Sequence, residues 1–180
     1  MLVGSGVILR PLEMADASLL KRWFSDGWMR GLTLIRYPGS LARWEEFISK
    51  RDRLGYEKGA WFIIEEKDGS AVGLAAIAGP EIENRTAELC LLLGEENARS
   101  QGLGMEAGYM LVRFAFDAMN LRRLHMWVRE GNDVVIEGAQ LSGFKIEGRL
   151  RQAEYQDGQL FDKFLLGLLR EEFVDLRQTS

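Results

Sequence analysis

Cysteine and histidine are nearly missing from this chain: Cys90 and His125 stand alone among 180 residues. One cysteine makes no intramolecular disulfide, and one histidine cannot by itself build a metal site, so no bound metal is expected. An excess of positive charge is missing too. Lys and Arg number 23 against 27 Asp and Glu, a formal net charge of -4, with no basic tail and no run of like charge. Neutralising a phosphate backbone calls for a basic patch, so no nucleic-acid partner is expected. The apolar stretches fall well short of the roughly 20 residues of a membrane span. The opening Met1-Leu2-Val3-Gly4-Ser5-Gly6 lacks the charged and apolar regions of a signal peptide. No membrane partner is expected, and the expected compartment is the cytoplasm. Pro/Ser-rich linkers, low-complexity tracts and repeats are also lacking, which points to one domain over residues 1–180.

What remains is the balance of a globular protein, 47% hydrophobic and 28% charged residues, enough to build a substantial core. Val7 to Leu9 reads as a short strand closed by Arg10-Pro11. Asp16 is placed to N-cap a helix burying Leu19, Leu20, Trp23 and Phe24, broken by Gly27 and Gly31. A second helix from Ser40 buries Leu41, Trp44, Phe47 and Ile48. From Ala60 the period changes. Trp61–Ile64 and Ala71–Ile77 flank the hairpin turn Asp68-Gly69. Thr86 to Leu93 is apolar on both faces, the mark of a central strand.

A long helix follows over Gly102 to Met119, with Leu103, Ala107, Met110, Leu111, Phe114, Ala115 and Ala118 on one face and Asn120 as terminator. Leu124, Met126 and Val128 alternate along another strand. A short helix over Val134 to Leu141 is capped by Asn132 and stopped by Gly143. The tail reads as a hairpin, Phe144–Tyr155 and Phe161–Leu169 about Asp157-Gly158. Two hairpins and one strand–helix–strand crossover give an α/β fold with a mixed, mostly antiparallel sheet and helices on both faces.

The turn Arg99-Ser100-Gln101-Gly102-Leu103-Gly104 carries the most chemistry. A helix N-terminus offers unpaired N–H groups and roughly half a positive charge. Gly102 and Gly104 remove the Cβ atoms that would hold an anionic group away, and Arg99 adds a side-chain donor. The same glycines also simply tighten a loop. Gly102-Leu103-Gly104-Met105-Glu106-Ala107 further matches the dinucleotide fingerprint G-x-G-x-x-A, with Glu130 as ribose acid. Against that rival stand the eight mostly polar residues Gly94 to Gln101, inserted between strand and glycines, and the terminal hairpin where further βα units belong.

Taken with their order and spacing, these segments resemble the GNAT superfamily of N-acetyltransferases, and within it the RimJ/RimL-like branch. The resemblance is carried by Val7-Ile8-Leu9-Arg10-Pro11-Leu12 with Asp16-Ala17, and by Ala87-Glu88-Leu89 ahead of Arg99 to Ala107. Asn132, Gly143-Phe144, Glu147-Gly148-Arg149-Leu150-Arg151, Asp157-Gly158 and Leu166-Gly167-Leu168-Leu169 extend it. It implies the GNAT acyl-CoA acyltransferase fold, with acetyl-CoA between two splayed parallel strands, here Thr86–Leu93 and Arg123–Val128. The implied cofactor contacts are Leu91 and Leu93, then Arg99, Ser100, Gln101, Gly102, Leu103, Gly104 and Met105, with Asn132 on the short helix.

Direct transfer from a thioester needs a base for the amine, a donor for the oxyanion and a fate for the thiolate. The base candidates are Glu88, on an apolar strand, and Glu154, at a position RimL-like enzymes use. Each also reads as a structural carboxylate beside Arg85, Arg149 or Arg151. A backbone N–H near Leu91–Leu92 is the implied oxyanion donor. The family's proton donors to sulfur fall on Ala139 and Val135 here, which leaves water, Tyr155 or Tyr109. It also leaves open a non-catalytic module that only binds acyl-CoA.

The expected acceptor is a primary amine, either a peptide α-amine or a small molecule such as a polyamine or aminoglycoside. Its pocket is expected among Trp28, Arg30, Tyr37 and Trp127, between the Trp28–Pro38 loop and the C-terminal hairpin. Cys90 reads as a small buried hydrophobe and His125 as an outward strand residue. The exposed hairpin edge permits a homodimer.

Overall fold

The computed structural model describes residues 1–25, 37–52, 59–99 and 101–175. Eight strands form one sheet: β1 (Leu2–Val3), β2 (Val7–Pro11), β3 (Gly59–Glu66), β4 (Ala71–Glu81), β5 (Thr86–Leu93), β6 (Arg123–Arg129), β7 (Lys145–Gln156) and β8 (Gln159–Leu169). Their order across the sheet is β1-β2-β3-β4-β5-β6-β8-β7, so the second strand of the last hairpin is inserted against β6 and β7 forms the edge. β5 and β6 run parallel, and the other neighbouring pairs of the described residues are antiparallel.

Helices lie on both faces, as the hydrophobic periodicity predicts. On the front, α1 (Ala17–Ser25) and α2 (Leu41–Asp52) bury Leu20, Trp23, Phe24, Trp44 and Ile48 against Ile63 and Leu74. On the back, α3 (Leu103–Arg113) and α4 (Asp133–Leu141) cover a larger core that includes Ile64, Ile77, Leu89, Leu111, Leu124 and Leu166. Strand alternation assigns the faces. Ala87, Leu89, Leu91 and Leu93 turn back toward α3, and Glu88, Cys90 and Leu92 turn to the front.

Two local expectations are corrected. Asp16 does not cap α1. It ends a 3-10 turn, Met14–Asp16, and lies buried with both carboxylate oxygens on Arg10, at 2.7 and 2.8 Å. Arg10 emerges half-buried from β2, and a guanidinium losing water takes the nearest carboxylates; Glu65 at 2.5 Å supplies the other. The long helix also does not stay α-helical to Met119. It ends at Arg113 and passes into a π-turn over Phe114–Ala118, closed by Met119 N–H donating to the Phe114 carbonyl at 3.1 Å. Arg170, at the far end of β8, donates to the Phe116 carbonyl and to Asp117, which fixes the widened turn. Asn120 does terminate the segment, with a φ of 53°.

Candidate active site

The parallel ladder between β5 and β6 is short. It pairs Thr86 with Arg123, Ala87 with Leu124 and Glu88 with His125, and stops there. Beyond that point Leu89–Leu93 stay paired to β4, and Met126–Arg129 stay paired to β8. The two strands therefore part between Glu88 and their C-terminal ends, and backbone groups lining the gap have no strand partner across it. Buried backbone polar groups demand partners, so a ladder abandoned in mid-sheet marks a place for an extended ligand.

The loop and helix after β5 close the wide end of this gap. Gly102 adopts the left-handed conformation, φ 75°, and serves as N-cap of α3. The first intrahelical bond runs from Glu106 N–H to the Gly102 carbonyl at 3.2 Å, so the N–H groups of Leu103, Gly104 and Met105 precede the ladder. A Cβ at Gly104 would lie 3.3 Å from Leu93 Cδ1 and 3.6 Å from Leu91 Cδ2, and the missing side chain is what brings the helix start onto β5. Leu91 and Leu93 thus spend their side chains under α3 and leave only backbone for the gap. Met105 Cε rests on Gly138 of α4, so the helices that follow the two parting strands touch each other.

Arg99 is occupied. Its guanidinium donates to the carbonyls of Leu93 at 3.4 Å and Gly94 at 3.3 Å, tying the loop to the end of β5. Gln101 is exposed and donates to the Asn97 carbonyl at 2.8 Å. Asn132 stands at the N-cap of α4; its carbonyl, not its side chain, receives the N–H groups of Val135 and Ile136. Ser100, Trp28 and Arg30 lie outside the described residues.

Sequence reasoning missed one brace. The Glu106 carboxylate accepts from the N–H groups of Ser5 and Gly6 and from Ser5 Oγ at 2.7 Å, pinning the β1–β2 turn over the start of α3. Gly4 and Gly6, close before a strand, were the only signal that the chain passes something tightly there.

At the vertex of the gap, Glu88 is half-buried on the front face, level with His125. The Cys90 thiol lies on the same face as the Glu88 carboxylate, two residues along β5. Burial, and secondarily that negative charge, pushes the thiol up to about 12. Such a thiol is neither a nucleophile nor a leaving group at neutral pH.

Glu154 is 6% exposed and lies 4.0 Å from Lys163. Of the expected arginine partners, Arg149 pairs with Asp162 and Glu130, and Arg85 bonds to Asn120. Glu154 stands opposite Phe161, six residues along β8 from Gly167, which is level with His125 and Glu88. At about 3.3 Å per residue the two carboxylates are separated by roughly 20 Å along the strands. They do not serve one reacting atom.

Trp127, 37% exposed, faces front with Lys163 Nζ 5.5 Å from its ring. Tyr37 is 76% exposed. Ala139 is buried within α4 and carries no hydroxyl, Tyr109 is buried with its ring near Phe173, and Tyr155 is exposed on the edge strand. Glu130, the ribose acid of the dinucleotide reading, instead accepts from Asp162 N–H at 3.2 Å and pairs with Arg149. No cluster with the makings of a metal site occurs among the described residues.

Comparison with known proteins agrees with this geometry. Residues 7–145 match the model of the acetyltransferase (GNAT) domain. The uncharacterized N-acetyltransferase p20 of Bacillus licheniformis is 28% identical over 168 residues, covering 92% of this chain and 94% of its own. The crystal structure of spermidine N-acetyltransferase from Vibrio cholerae, in complex with CoA and spermine, superposes with a TM-score of 0.87 at 18% identity over 96% of this chain and all of its own. The ribosomal L7/L12 α-N-protein acetyltransferase RimL, in complex with coenzyme A, superposes with a TM-score of 0.82 at 19% identity over 93% and 96%. The chain belongs to the GNAT family of acetyltransferases, and its chemistry is transfer of an acetyl group from acetyl-CoA to an amine.

Proposed function

We propose that acetyl-CoA lies in the gap between β5 and β6, with pantetheine along the backbone of Leu91–Leu93 and the pyrophosphate at the turn from Arg99 to Met105. The observation that carries this reading is the end of parallel pairing after Glu88 and His125. The unpaired N–H groups of Leu103, Gly104 and Met105 supply donors and a positive dipole end for the phosphates. Arg99 fixes the loop through the Leu93 and Gly94 carbonyls, and Gln101 and Asn132 complete the rim.

Glu88 is the base in this reading. It takes the proton from the acceptor amine, whose lone pair attacks the thioester carbonyl carbon. A backbone N–H near Leu91–Leu92 stabilises the oxyanion, the C–S bond breaks, and the thiolate takes a proton from water. The half-buried Cys90 thiol, held protonated, supports direct transfer over an acyl-enzyme. Glu154 then holds Lys163 and shapes the acceptor side with Trp127.

Two acceptor classes come from the similar proteins: a peptide α-amine, as in the RimJ/RimL-like branch, and a polyamine. In either case the acceptor enters from the front, toward Trp127. The exposed edge strand β7 supports association of two copies, which light scattering would measure directly. The test of function is thiol release from acetyl-CoA over a panel of peptide and small-molecule amines. Acceptor-dependent release is expected, with coenzyme A but not NAD raising the melting temperature. Cofactor binding with no release across the panel overturns the catalytic reading.

A further inference from the structure

We infer that His125 relays to solvent the proton that Glu88 takes from the acceptor, with Glu147 as the residue that positions it. The inference rests on the reading of Glu88 as the base. Glu88 and His125 form the last rung of the parallel ladder between β5 and β6. Alternation turns both side chains to the front, since Ala87, Leu89, Leu124 and Val128 belong to the core behind the sheet. Neighbouring strands lie about 4.8 Å apart, so carboxylate and imidazole rise side by side at the vertex. Both residues are half-buried.

The far side of His125 is built as well. Gly167 of β8 is level with it. β7 bulges between Ile146 and Gly148, which leaves Glu147 without a cross-strand partner and re-aims its side chain. The Glu147 carboxylate settles over Gly167, where a Cβ would displace it. The Gly167 backbone is not left-handed, so the room it leaves is what glycine contributes here. Two bonds from Arg123 fix the carboxylate. Arg123 chiefly, and the charge of His125 in a smaller way, hold the Glu147 carboxyl below its ordinary 4.5. Among the described residues, the other charged or titratable groups around His125 on this face are Cys90, Arg123, and Lys145 with its partner Glu172.

The proton count calls for such an exit. An acceptor that arrives as an ammonium sheds two protons in becoming an amide; the thiolate accounts for one, and the other must reach solvent. Glu88 takes that proton as the N–H bond breaks. With acetyl-CoA in the gap and the acceptor on the front, Glu88 is covered, and the way out runs sideways across β6. The Glu88 O–H gives its proton to an imidazole nitrogen, and the imidazolium releases one to water beside the exposed Glu147. Imidazole both accepts and gives a proton near neutral pH. Glu147 stays ionised throughout and stabilises the imidazolium between the two transfers.

Steady-state thiol release by His125→Ala in weakly buffered solution tests the relay. The kcat is expected to fall at least about tenfold, less than for loss of the base itself, with the KM for acetyl-CoA nearly unchanged. Added imidazole should restore kcat in proportion to its concentration, and the pH profile of kcat should lose one ionisation. Glu147→Gln, which acts only through His125, should lower kcat by about two- to fivefold. A His125→Ala enzyme of wild-type kcat, or one whose deficit imidazole leaves untouched, overturns the relay. Should His125→Ala melt far below the wild type, Glu147→Gln decides, and an unchanged kcat there counts against the relay. Glu88→Gln separates the two readings. Disabled beside an intact His125→Ala, it leaves the base standing and sinks the relay; fully active, it sinks the base and the relay with it. A wild type that releases no thiol overturns both.

Discussion

The two sides of the parting strands are built by opposite means. On the back, the side proposed for the cofactor is made of backbone: an abandoned ladder, a helix start with N–H groups ahead of the helical bonds, and Gly104 drawn close to Leu91 and Leu93. On the front, the side proposed for the acceptor is made of side chains from separate elements: Glu88 of β5, Trp127 of β6 and Lys163 of β8. The difference teaches where specificity resides. A backbone-lined cleft suits one constant cofactor, and side chains carried by separate elements suit an acceptor that differs from enzyme to enzyme.

The largest effect that would break this contrast is on the cofactor side. Gly104→Val puts a branched side chain against Leu93 and over the helix start. Coenzyme A affinity should fall about 100-fold, some 2.7 kcal/mol, while the melting temperature of the free protein changes little by comparison. Calorimetric titration checks it. If affinity is retained, the cofactor does not use this turn.

Next in size is the reactivity of Cys90. With its thiol pushed up to about 12, alkylation by iodoacetamide at pH 8 should run at least about 100-fold slower than for a free thiol. Glu88→Gln should speed it modestly, because the carboxylate is the lesser cause. Mass spectrometry of the labelled protein follows both, and fast labelling of the wild type would contradict the raised thiol.

The smallest effect is on acid stability. A hydrogen bond from Arg123 holds the Glu147 carboxyl below its ordinary 4.5, and the Gln152 N–H, followed by Arg149, holds Asp162 below 3.8. Carboxyls with depressed folded-state values contribute stability that is present above the ordinary value and lost as pH falls through the folded one. The melting temperature should therefore drop as pH is taken from about 5 to 3, less steeply in Glu147→Gln and Asp162→Asn. A slope unchanged in both variants would contradict these assignments.

Much of the back was legible in the sequence. β5 runs over Thr86–Leu93 as its pattern predicts, and the glycines at 102 and 104 locate the start of α3, because both signals are local. What stayed hidden depends on partners far along the chain. The π-turn at Phe114–Ala118 needs Arg170, the burial of Asp16 needs Arg10 and Glu65, and the Glu106 brace needs Ser5 and Gly6. The candidate pair Glu88 and Glu154 shows the same limit: residue type suggests both, and strand register separates them.

The central claim is that chemistry happens at the vertex where β5 and β6 part. Steady-state kinetics of Glu88→Gln and Glu154→Gln, with thiol release as readout, address it most directly. The account predicts that Glu88→Gln lowers kcat by at least about 100-fold with the KM for acetyl-CoA nearly unchanged, the usual scale for losing a general base. Glu154→Gln should lower kcat by less than about tenfold, since it only releases Lys163. A Glu88→Gln enzyme of near wild-type kcat beside a disabled Glu154→Gln enzyme would move the reacting centre to the other end of the front face and contradict the account.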